Sequence, residues 1–158
     1  MTSYPQLLRS GKNLLILTYI ISMLASCQST PKELNLEVDG DYCNNLGLFN
    51  LRENKPDKAA FYFRKALGFE HKVEYVVNLG SALLGQKKYE ETVLLLMAER
   101  KDPQFLNYSR QDRLYFVIGL ALEKQRKFPQ ARNFYKLAYE RNNKLKEASQ
   151  RLAKLEKF

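Results

Sequence analysis

YFVIGLALEKQRKFPQARNFYKLA, residues 115–138, decides the fold. Tyr115, Ile118 and Leu122 recur at steps of three and four, the spacing that places side chains on one face of an α-helix. Gly119 interrupts that run. A glycine inside a helix costs about 1 kcal/mol relative to alanine. Its presence predicts a neighbour too close for a side chain. The polar run Glu123 to Lys127 ends the apolar pattern, and Pro129 falls near the start of a second helix, where a missing amide N–H is harmless. In that second helix small Ala131 and Ala138 flank large Tyr135. Two helices folded back on each other satisfy these choices, with small residues where the backbones approach and large ones beside them.

The same arrangement occurs twice upstream. Leu46-Gly47 and Leu79-Gly80 match Ile118-Gly119. Three residues before each Leu or Ile stands Cys43, Val76 or Tyr115, and three after each glycine stands Asn50, Leu83 or Leu122. Twelve after each glycine comes a small residue, Ala59, Thr92 or Ala131. Four further on comes a large apolar one, Phe63, Leu96 or Tyr135. Ala66 and Ala138 lie nineteen after Gly47 and Gly119, and Glu99 holds that place in the middle copy. Gly47 to Gly80 is 33 residues and Gly80 to Gly119 is 39, so residues are inserted within 101–111. A repeat of this length is one supersecondary unit that buries its apolar face against its neighbours.

The pattern resembles the tetratricopeptide repeat, a pair of antiparallel helices stacked into a superhelix. The resemblance spans residues 40 to 145; it is strong in the first and third copies and weaker in the second, where Thr92 and Glu99 replace small residues. It implies an all-α fold: a right-handed superhelix of three helix pairs, at about 40–73, 73–106 and 112–145, with a C-terminal cap at 144–158. A plain helical bundle is the structural competitor. Helices are expected at 40–52, 56–69, 72–85, 89–101, 110–125 and 128–141. Pro56 opens the first copy's second helix, and Asp57, Glu90 and Glu91 place negative charge where the macrodipole favours it. A seventh helix, 144–157, carries Leu145, Ala148, Leu152 and Leu155 in one stripe, enough to cover the end of a stack. A free amphipathic membrane helix is the alternative for that segment.

Upstream of the repeats, Arg9 and Lys12 precede an apolar run from Leu14 to Leu24, and Leu24-Ala25-Ser26-Cys27 closes it. Charge, then apolar run, then small residues is the grammar of a secretory signal. The 11-residue run covers roughly half of a ~30 Å hydrocarbon core as a helix. Leu-Ala-Ser-Cys resembles the lipobox of bacterial lipoproteins. That resemblance implies a signal peptide at 1–26 and a mature chain beginning at Cys27, whose sulfur carries diacylglycerol, with a further acyl chain expected on the same residue; no other cofactor is expected. Gln28 after the cysteine resembles outer-membrane lipoproteins. Residues 27–38 then form a lipidated polar tether of roughly 18 Å r.m.s. reach. Cys43 has no disulfide partner once Cys27 is acylated and reads as a small buried apolar residue.

Composition narrows the function classes. The formal net charge is +9, and from Lys124 onward 11 Lys or Arg stand against 3 Glu. The single histidine, His71, falls at an inter-repeat turn and reads as a surface residue; one histidine cannot make a two-His zinc site. No glycine-rich phosphate loop follows a strand, and no carboxylate pair stands out by spacing. The expectation is no enzyme and no metal. No nucleic-acid module pattern occurs either, so nucleic acid is not an expected partner.

The family's groove-facing phase, mapped onto this chain, selects Asn44, Leu48, Leu51, Val77, Asn78, Ser81, Leu84, Arg113, Phe116 and Leu120, with Arg52 and Glu123 at the margins. An amphipathic helix or extended peptide can lay its apolar face on such a row. The carboxylate-gripping variant of the family has its matching places at Asn44, Leu48, Asn78, Arg113 and Val117; only Asn78 and Arg113 agree, so a chaperone-tail ligand is not expected. Anchor and groove together resemble the pilotins. They imply a lipid-anchored, non-catalytic adaptor or scaffold in the bacterial cell envelope, at the outer membrane facing the periplasm, that binds another envelope protein or peptide segment. The alternative is a surface-displayed lipoprotein that binds a host molecule or anionic lipid through its basic C-terminal face. The client and the oligomeric state stay open.

Overall fold

The Asp39 carboxylate accepts a hydrogen bond from the Tyr42 amide at 2.7 Å and caps the helix that follows. The computed structural model describes residues 38–155. The signal segment, Cys27 and tether residues 28–37 lie outside the described residues, as do residues 156–158 of the expected cap. The described helices are α1 (Gly40–Arg52), α2 (Pro56–Phe69), α3 (Val73–Gly85), α4 (Tyr89–Glu99), α5 (Pro103–Leu106), α6 (Gln111–Lys124), α7 (Phe128–Arg141) and α8 (Lys146–Leu155). No strand occurs among the described residues.

Seven of these helices are the seven expected, each within two residues at its described ends. The eighth, α5, sits where the sequence shows only an insertion. Asp102 caps it, accepting from the Gln104 amide at 2.8 Å, and Pro103 opens it. Four residues are too few to show a period, so helical spacing could not reveal it. Its Phe105 is buried and meets the Tyr115 ring edge-on, with centroids 5.8 Å apart.

Each long helix packs on the next in the chain, with α5 passed over between α4 and α6. The first helices of the pairs also touch directly, α1 beside α3 and α3 beside α6. One contact recurs inside every pair. A Cβ added to Gly47 would meet the Phe63 ring at under 3.0 Å; on Gly80 it would meet Leu96 at 2.9 Å, and on Gly119 the Tyr135 ring at 2.6 Å. The glycines are therefore notches, each filled by the large residue sixteen positions later.

The turns repeat as well. Asn54, Lys87 and Arg126, each seven residues after its glycine, adopt positive φ of 54°, 63° and 59°. The amide after each reaches back to close the helix: Lys55 to the Asn50 carbonyl at 2.8 Å, Lys88 to Leu83 and Lys127 to Leu122 at 2.9 Å. This left-handed closure is the one glycine usually supplies.

Buried side chains form three clusters. One joins Cys43 to Ala66 and Tyr75, the second links α2 to α3, and the largest runs from Val73 to Leu155. Cys43 is a free thiol inside the first. In the middle pair, Thr92 fits the small-residue place by donating its hydroxyl to the Lys88 carbonyl at 2.8 Å. Glu99 fits its place by pairing with His71, 3.2 Å away. His71 is exposed as expected, but it is tied to a buried carboxylate. The C-terminal helix lies on the third pair. Ala148 and Leu155 are buried in the largest cluster, and Leu145 and Leu152 pack against it. The apolar stripe of α8 thus faces the fold.

Candidate ligand face on the first helices

The selected residues come from α1, α3 and α6, the three adjacent first helices, and they divide into two groups. Leu48, Leu51, Ser81, Leu84, Arg113, Phe116 and Leu120 are half-buried, with part of each side chain open. Asn44, Val77 and Asn78 are buried, at 5%, 0% and 0% exposure, and so do not line an open surface. Helical phase puts them on that face. Direct packing of α1 on α3 and α3 on α6 covers them.

The buried pair is nonetheless organised. The Asn78 amide donates to the Asn44 carbonyl oxygen at 2.9 Å, joining α1 to α3 beneath the open row. The Asn78 carbonyl oxygen is itself buried without a partner among the described residues. Leu48 and Leu51 pack on the cluster that contains Leu79 and Leu83. Leu84, Phe116 and Leu120 pack on the largest cluster, and the Phe116 ring lies 5.7 Å from that of Tyr135. The Ser81 hydroxyl donates to its own helix, to the Val77 carbonyl at 3.0 Å. Arg52 is exposed at the end of α1. Glu123, at the other margin, accepts from Tyr135 at 2.6 Å and Arg151 at 2.7 Å. The result is a row of aliphatic and aromatic faces, one set per helix, with a single cation at Arg113.

Ionisable groups with displaced pKa values lie elsewhere, and each has a structural explanation. Hydrogen bonds from Tyr75 and Lys72 lower the Asp41 carboxyl. Burial, then the hydrogen bond to Glu123, raises the Tyr135 phenol well above the usual tyrosine range. Burial raises Glu99, and the charge of His71 opposes that rise. Among the described residues no three His, Cys, Asp or Glu side chains converge as metal ligands. No helix among them is long and apolar enough to cross a membrane.

Spacing did not reveal two features. One is the His71–Glu99 pair; the signal available was a carboxylate where the other copies hold alanine. The other is a cleft of about 450 Å³ between the start of α3 and the residues after α5, bordered by Lys72, Glu74, Asn107 and Tyr108. The Tyr108 hydroxyl is buried with no partner among the described residues.

A tetratricopeptide repeat family model matches residues 40–70 and 112–145, the first and third pairs. The structure is similar to the TPR2AB domain of yeast Sti1 in complex with pHSP90, at 17% identity and TM-score 0.67, covering 75% of this chain and 46% of that one. It is similar to Pseudomonas aeruginosa PilF at 24% identity and TM-score 0.68, covering 90% of this chain and 64% of that one. It is also similar to MamA (41-end) from Desulfovibrio magneticus RS-1, at 17% identity and TM-score 0.63, covering 89% and 82%. This chain thus spans about half the length of the matched Sti1 chain and under two thirds of PilF. No curated protein sequence matches it. The fold is of the tetratricopeptide type, an architecture that generally serves protein–protein interaction.

Proposed function

We propose that the protein is a lipid-anchored, non-catalytic adaptor of the bacterial cell envelope that holds a segment of another envelope protein across α1, α3 and α6. The observation that carries this reading is the open row of Leu48, Leu51, Leu84, Phe116 and Leu120, half-buried side chains at matching phases of three adjacent helices. A client presenting apolar side chains along one face of a helix or strand covers that row and removes it from water. Buried core positions beneath hold the row in place, so little ordering is needed when the client arrives.

The anchor rests on the sequence around Cys27. Acyl chains on that thiol hold the domain at a membrane, because each buried methylene is worth about 0.8 kcal/mol and more than one chain makes binding stable. Gln28 directs the reading to the outer membrane, and the client travels or assembles where the anchor sits, as in the pilotins.

Two substitutions test the two halves separately. Leu48→Glu or Phe116→Glu places a carboxylate in the row; recovery of clients from detergent-solubilised native membranes should fall, and unchanged recovery rejects the site. Cys27→Ser should release the protein from the membrane fraction, and full retention there counts against acylation.

A further inference from the structure

We infer that the end of the fold built from the α6–α7 turn and the last turn of α8 is a docking surface for anionic lipid headgroups. The three turns that join first to second helices allow a direct comparison at one phase of the repeat. Residues 52–58 hold three basic and two acidic side chains, and residues 85–91 hold two of each. Residues 124–130 hold Lys124, Arg126 and Lys127 and no acid. The cap adds to that charge. Arg151 donates to Glu123 at 2.7 Å, which brings the second half of α8 to the end of α6. Lys154 lies one helical turn beyond Arg151 on the same helix. Arg151 neutralises Glu123, and Glu90 and Glu91 of α4 border the cleft that Gln125 of the turn shares. Lys124, Arg126, Lys127 and Lys154 are exposed, with no carboxylate partner among the described residues.

A lipid surface fits this chemistry better than a peptide. The charges are mostly lysines, strongly hydrated point charges without the bidentate geometry of a built carboxylate site. They stand on a turn and a helix end. Such a cluster is attracted to an anionic membrane surface, and that attraction is screened by salt. The surface is independent of Cys27 and of the client row, so either can fail without the other.

The test uses the chain from residue 28 onward, which lacks the acylated cysteine. All three apolar clusters lie within residues 43–155, so it retains the whole described core. Sedimentation is measured with vesicles of phosphatidylcholine alone and with about one quarter phosphatidylglycerol. Binding should require phosphatidylglycerol and weaken steeply between about 50 and 200 mM salt. The double variant Lys124→Glu, Lys154→Glu should bind at least about ten-fold more weakly. Lys58→Glu with Lys101→Glu changes the net charge equally at a distance and should bind nearly as the parent does. Equal losses in the two variants, no binding to anionic vesicles, or capture by polyglutamate but not by vesicles each overturn the proposal. Circular dichroism confirms that each variant remains helical.

Discussion

Arg151 in α8 and Glu123 in α6 are 28 residues apart in sequence and 2.7 Å apart in space. Glu123 is mostly buried, and its second oxygen accepts from Tyr135 on α7. One carboxylate therefore gathers three helices at the C-terminal end of the stack. Arg151→Ala should cost about 1 kcal/mol, the scale of a partly exposed hydrogen bond to a charged group. The loss should be local. Amide exchange should accelerate in α8 and stay slow in α3. Unchanged α8 protection would show that apolar packing alone holds the cap.

Gly119→Ala and Gly68→Ala should move stability in opposite directions. A Cβ at Gly119 meets the Tyr135 ring at 2.6 Å, whereas one at Gly68 meets nothing within 4 Å. Overpacking costs about 1 to 3 kcal/mol, outweighing the roughly 1 kcal/mol that alanine gains in a helix. Gly68→Ala should stabilise by about 0.5 kcal/mol or more, since Gly68 lies in the last turn of α2 without positive φ. Urea unfolding reads both. A stable Gly119→Ala variant would refute the notch.

Lys87→Gly should stabilise the turn between α3 and α4. Lys87 holds φ of 63°, a left-handed conformation that a lysine adopts at a cost. Glycine removes that strain and returns part of the gain as unfolded-state freedom, leaving about 0.5 kcal/mol. An unchanged or lowered thermal midpoint would mean that the lysine stem contributes packing of similar size.

The Glu99 carboxyl sets a pH dependence with a definite sign. Burial raises its folded pKa above the ordinary 4.5, with His71 opposing. The folded state therefore retains the proton where the unfolded chain has released it. Stability falls as pH climbs from about 4.5 through the raised value, then levels. Glu99→Gln should flatten that segment of the curve and leave the protein more stable at neutral pH. A parent whose stability rises over the same interval would show that His71 outweighs burial.

The helices were legible because local rules and repeat phase agree in them. Gly47, Gly80 and Gly119 mark the first helices, Pro56 and Pro129 open two of the second, and small residues identify the contacts. The one-turn α5 was not legible, because its signal is a cap and a proline without a period. The ligand row was legible only in part. Phase alone cannot separate Leu48, which stays open, from Val77, which a neighbouring helix covers. That distinction depends on the distance between α1, α3 and α6. Long-range polar pairs left one mark in the repeat, the carboxylate of Glu99 where the other copies hold alanine. Arg151 and Glu123, or His71 and Glu99, become partners only after the stack has formed.

Tyr135 serves two levels of organisation at once. Its ring fills the notch at Gly119 and holds one helix pair together, while its hydroxyl reaches the carboxylate that fastens the next element. In the other two pairs Phe63 and Leu96 do the first task and have no group for the second. A Tyr135→Phe chain thus keeps the hinge and loses the latch, separating closure of the terminus from cohesion of the pair with the removal of a single oxygen.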